Sequence, residues 1–170
     1  MNAKRRQLVA DGLVAGIAGY AAVVVFFGIW NLVEGHSPFY TAGLLGAAVF
    51  EGLRDPASLA LDPGMVIAFN GVHLLAFLAF GFFAAWLVYE SELHPVLWYL
   101  SLFLFLGAAI LGSAAVLTLS LALGGLVPPG AVVSAGVLGA AVMAAYLTGV
   151  HRPLVRVLRA SPGGAAGMPR

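Results

Sequence analysis

The chain contains no cysteine, and that single absence removes disulfides, thiolate metal sites, iron–sulfur clusters and a cysteine nucleophile together. Charge is nearly as scarce. Asp, Glu, Lys and Arg make up 9% of the residues, against about 25% in a soluble domain. A water-facing surface cannot be assembled from so few charges, so lipid must be the solvent for most of the chain. The formal net charge of +1 leaves no strongly basic face, which argues against a nucleic-acid partner. Enzyme signatures are missing as well: there is no HExxH, no GxSxG and no P-loop, so no enzymatic activity is expected. No lipidation signal is present, since residue 2 is Asn and the C-terminus carries no Cys.

What the sequence has in abundance is hydrocarbon. Hydrophobic residues make up 62% of its 170 positions, and the mean hydropathy is +1.02. A helix needs about 20 apolar residues to cross the hydrocarbon core of a bilayer. Four segments reach that length: Gly12–Val33, Gly64–Tyr89, Val96–Leu123 and Ala131–Val150. The runs are continuous rather than alternating, which in lipid means helices rather than barrel strands. The first is roughly twice as long as the apolar core of a signal peptide and leads into Glu34 and His36 without a small-residue cleavage pattern, so it reads as a retained span. The expected fold is all-α: a polytopic membrane protein with a four-transmembrane-helix bundle in one membrane domain, residues 1–159. A disordered cytoplasmic tail is expected at 160–170, where Ser, Pro and Gly dominate.

The link from Glu34 to Pro63 is too long for a structureless connection. Within it, Thr41–Leu53 reads as a short helix, with an apolar stripe through Leu44, Leu45, Ala48, Val49 and Leu53. Thr41 is its expected N-cap and Asp55-Pro56 its stop. At about 13 residues it cannot span, so it is assigned as interfacial or re-entrant. The link Ser91–Pro95 makes the second and third spans antiparallel neighbours, with Pro95 in the first turn of the third. After Val150 the segment HRPLVRVLR carries Leu154, Val155 and Leu158 among its arginines and is expected to lie along an anionic membrane surface.

Orientation follows from the basic residues. Four spans put both termini on one side, together with Lys4, Arg5, Arg6, Arg152, Arg156, Arg159 and Arg170, whereas the opposite loops hold Arg54 alone. The positive-inside rule then places the N- and C-termini in the cytoplasm and the protein in the cell membrane. Small residues recur at four-residue spacing, as in Gly12/Gly16, Ala108/Gly112 and Ala135/Gly139. Such spacing lets backbones approach closely. It serves either the packing of the four helices or a contact with a second copy or a larger complex.

Polar residues inside a span are candidates for function. His73 lies roughly 14 Å along its helix from Gly64 at about 1.5 Å per residue, and Asn70 shares its face. Tyr20, Ser113 and Thr118 lie at comparable depth and complete an expected intramembrane polar cluster with Asn70 and His73. A two-histidine haem would need a partner at matching depth, yet His36, His94 and His151 fall at or beyond the predicted boundaries. A quinone needs one or two polar groups in an aromatic pocket, which Asn70, His73 and nearby Phe residues supply. The acids Glu34, Glu51, Asp55 and Asp62 match no metal-ligand spacing, so no metal is expected.

These residues suggest a small, non-enzymatic accessory or assembly subunit of a larger membrane complex, with the lipid bilayer as its first partner and no cofactor required. The alternative is a ligand-binding membrane protein holding haem or quinone near His73, and the third a small transporter or channel component.

Overall fold

The computed structural model describes residues 3–94, 98–122, 125 and 127–151. Among them the chain is all-helical, with no strand. Five α-helices follow one another: α1 (Ala3–Val33), α2 (Tyr40–Phe50), α3 (Pro63–Leu93), α4 (Trp98–Ala122) and α5 (Pro129–Val150). A 3₁₀ turn, Pro56–Ser58, interrupts the loop before α3. Three of the helices, α1, α3 and α5, are long and apolar enough to cross a membrane. In α4 the corresponding apolar stretch is the shorter Phe105–Thr118.

Several boundaries differ from the expected ones, each for a local reason. Helix α1 starts at Ala3 rather than Gly12, because Lys4, Arg5, Arg6 and Gln7 are good helix formers that can continue the turn into the polar region. Helix α3 starts with Pro63 at its first turn, where the missing N–H costs nothing, and Asp62 Oδ1 accepts from Gly64 N at 2.8 Å. Helix α2 ends at Phe50 rather than near Asp55-Pro56: Gly52 takes φ +74°, the left-handed region open to glycine, and the chain leaves the helix there. Asp55 instead caps the 3₁₀ turn by accepting from Ala57 N. Thr41 is not the N-cap of α2. Phe39 holds that place without a side-chain bond, while the Thr41 hydroxyl is used in a tertiary contact. Pro95, residues 152–159 and the tail at 160–170 lie outside the described residues.

Helix α1 is the axis of the packing, lying against α3 on one side and α5 on the other, with α2 seated on α3 and α4 on α5. In lipid there is no hydrophobic drive between helices, so close van der Waals approach must hold them. Glycine makes that approach. A Cβ built on Gly12 would come within 2.5 Å of the Phe82 ring, and one on Gly139 within 3.0 Å of Val23. The small-residue pairs on α1 and α5 are therefore consumed by the fold's own crossings. Gly112 on α4 is different, since a Cβ there would meet nothing within 4 Å. Helix α2 is not a loosely lying surface helix. Thr41 and the six residues from Gly43 to Ala48 are buried, and a side chain on Gly46 would collide with the Met65 carbonyl of α3.

Candidate functional site

All five helices contribute to one cavity of about 730 Å³, through Tyr20 of α1, Thr41 of α2, His73 of α3, Ser113 of α4 and Ala135 of α5. That volume is in the range of small-molecule sites. Among the described residues that line it there is no Asp, Glu, Lys or Arg. Two lining residues, Ile67 and Phe39, are 71% and 56% exposed, so the cavity opens onto the outer face of the bundle instead of being sealed.

Its polar end is built on one face of α3. Asn70 and His73 are three residues apart and so share that face. The Tyr20 hydroxyl donates to Asn70 Oδ1 at 3.0 Å, and Asn70 Nδ2 donates to the Val66 carbonyl at 2.8 Å. Asn70 is thereby fixed from both ends. The His73 ring is held by aromatic contacts. It stacks on Phe69 at 5.6 Å between centroids and 17° between planes, with Phe77 at 5.0 Å and Tyr20 at 6.2 Å. Among the described residues no protein group hydrogen-bonds either of its ring nitrogens. In neutral form those nitrogens offer one donor and one acceptor. Aromatic walls thus fix the orientation of a group whose hydrogen-bonding capacity is left over for something else.

A second polar cluster lies at the α2 end of the cavity. Asn31 is 2% exposed, accepts from Thr41 Oγ1 at 2.6 Å and donates through Nδ2 to the Pro38 carbonyl at 3.0 Å. These bonds pin the first turn of α2 to the last turns of α1, and so set the position of the cavity's α2 wall.

The structure gathers most of the expected cluster, with one exception. Tyr20, Asn70, His73 and Ser113 all line the cavity. Thr118 does not: it is exposed and donates to the Ala114 carbonyl one turn back on its own helix. Ser113 reaches the cavity beside α5, where Gly136 leaves room for its hydroxyl. The other histidines lie elsewhere, His36 stacked on Tyr40 at 4.1 Å and His151 at the far end of the bundle.

One group of residues was not anticipated from the sequence. Asp11, Glu92 and His151 come together where the start of α1 meets the ends of α3 and α5. Glu92 and His151 stand at the ends of α3 and α5, Asp11 lies about two turns into α1, and antiparallel packing brings the three to the same level. That is the signal a reading by depth alone passes over. No protein-family model, curated protein or solved structure matches the chain.

Proposed function

We propose that the protein is a multi-pass membrane protein that holds a neutral, mostly hydrocarbon ligand in the cavity beside His73. The observation that carries this reading is the combination, among the described residues, of walls without a charged side chain and an imidazole whose ring nitrogens have no hydrogen-bond partner. A charged headgroup such as a carboxylate or phosphate would find no Lys or Arg there, and burying it unpaired would be costly. A carbonyl or hydroxyl head would accept from or donate to His73, with the remaining N–H of Asn70 as a second donor. Quinones and quinols fit that description. Haem fits less well, because its propionates would need cations and no second histidine is among the described lining residues. In this reading α4 supplies a fourth span, closes the cavity and leaves both termini in the cytoplasm.

A thermal-shift titration of the detergent-solubilised protein tests it. A short-chain alkyl benzoquinone should raise the melting temperature by several degrees, since a ligand at 100 times its Kd stabilises by about 2.7 kcal/mol. A fatty-acid anion of similar size should not. His73→Ala should remove the response while leaving the protein folded. If no neutral lipophile shifts the melt, the reading fails.

The accessory-subunit reading rests on a different observation. Gly28 and Gly107 leave open space around their Cα atoms, as contacts with another membrane chain would require. Co-purification of stoichiometric partner subunits in mild detergent would favour it.

A further inference from the structure

At the end of the bundle away from α2, three helix ends meet on a single imidazole. His151, the C-cap residue of α5, has a side chain only 5% exposed. Its Nε2 lies 3.1 Å from Asp11 Oδ2 on α1, and its Nδ1 lies 2.8 Å from Glu92 Oε1 on α3. The Asp11 side chain is 7% exposed and that of Glu92 26%. The Tyr146 hydroxyl donates to Asp11 Oδ1 at 3.4 Å. Tyr89 meets the imidazole edge-on at 5.0 Å, with its hydroxyl turned toward Asp11 and Glu92. These are the titratable groups that α1, α3 and α5 turn toward the junction. Among the described residues no Lys or Arg pairs with either acid.

The geometry sets a proton count. An ionised carboxylate only accepts hydrogen bonds, so each of the two nitrogen–oxygen contacts requires a proton between its atoms. A neutral imidazole carries one N–H. The second proton must therefore sit either on the other ring nitrogen, making an imidazolium between two carboxylates, or on the facing carboxyl group. Both arrangements hold one proton more than a neutral imidazole beside two ionised acids. Once that proton leaves, a nitrogen lone pair faces a carboxylate oxygen with little water to screen it. The contact then turns from attractive to repulsive.

We infer that Asp11, His151 and Glu92 form a proton-binding site that latches the ends of α1, α3 and α5, closed when the extra proton is bound and released when it is lost. The latch holds while the extra proton is bound and weakens as rising pH removes it. It is independent of any ligand in the His73 cavity.

The test uses the full chain, which has no native cysteine to interfere with labelling. Spin labels go on Gln7→Cys and His94→Cys, both exposed positions at this end of α1 and α3. The distance between them is read in lipid nanodiscs by pulsed electron resonance at about pH 6 and about pH 9, a span wide enough to add or remove a proton from an imidazole–carboxylate cluster. A single narrow distance is expected at the lower pH and a longer, broader distribution at the higher, with a melting temperature lower by about 4 °C. Glu92→Gln supplies an amide N–H to the unprotonated ring nitrogen, so this variant should stay closed at both pH values. His151→Gln, which cannot titrate, should lose the pH response too and serves where Glu92→Gln does not fold. An unchanged wild-type distance overturns the proposal. So does a wild-type response that persists undiminished in either variant.

Discussion

Gly81 of α3 and Gly16 of α1 meet so closely that a Cβ on Gly81 would lie 2.5 Å from the Gly16 nitrogen and 2.7 Å from its Cα. No side chain larger than hydrogen fits at that crossing. Gly81→Ala should therefore force the two helices apart and cost about 1–3 kcal/mol, the usual penalty of overpacking. Gly112→Ala, where nothing lies within 4 Å of the new methyl, should be neutral or slightly stabilising. Thermal melts of the two variants in the same detergent compare the predictions directly.

The Tyr20–Asn70 bond ties α1 to α3 across the cavity's polar end. Tyr20→Phe keeps the ring against His73 and Phe77 and removes only the hydroxyl. The expected loss is about 0.6–2 kcal/mol, the range found for hydrogen bonds between membrane helices. A melting temperature equal to that of the wild type would show that the bond contributes nothing.

Much of this fold could be read from the sequence because lipid imposes a length rule. An uninterrupted apolar run of about 20 residues leaves few options, and α1, α3 and α5 follow from it. Helix ends were less legible, since they depend on local capping. Asp62 and Pro63 start α3 one residue before Gly64, the helix runs past Tyr89 through the expected link at Ser91 to Leu93, and Gly52 stops α2 before the Asp55-Pro56 turn. At the site, depth and helical face brought Asn70, His73, Tyr20 and Ser113 to one cavity. Depth alone could not show that Thr118 points away, because it says nothing of which way α4 is turned. The His151 junction was hidden for another reason: its two carboxylates lie 59 and 140 residues away in the chain, and no local pattern links them.

The Asn31–Thr41 contact is the polar fastening of α2. Thr41→Val keeps the shape but leaves Asn31 Oδ1 without its 2.6 Å partner in a buried site. An unsatisfied buried acceptor costs about 1–3 kcal/mol. Hydrogen exchange should accelerate from residue 40 to residue 50 while the middle of α1 stays protected. Unchanged protection in α2 would mean that its apolar packing holds it alone.

Orientation can be checked with single cysteines introduced into the cysteine-free chain. The basic residues in the first turns of α1 predict that Gln7→Cys faces the cytoplasm and that Ser58→Cys, in the loop between α2 and α3, faces outward. A membrane-impermeant maleimide should label Ser58→Cys on intact cells, and Gln7→Cys only after permeabilisation. The reverse pattern would invert the assigned topology.

Native mass spectrometry of protein released from mild detergent reads what the space beside His73 holds. The wild type should carry a neutral lipophilic adduct with a carbonyl or hydroxyl head. Gly112→Phe, which adds a ring at a cavity-lining position with no neighbour within 4 Å, should release as bare protein, while Gly112→Ala keeps the adduct. A wild type that emerges bare, or an adduct that survives the added ring, would rule out a neutral ligand at His73.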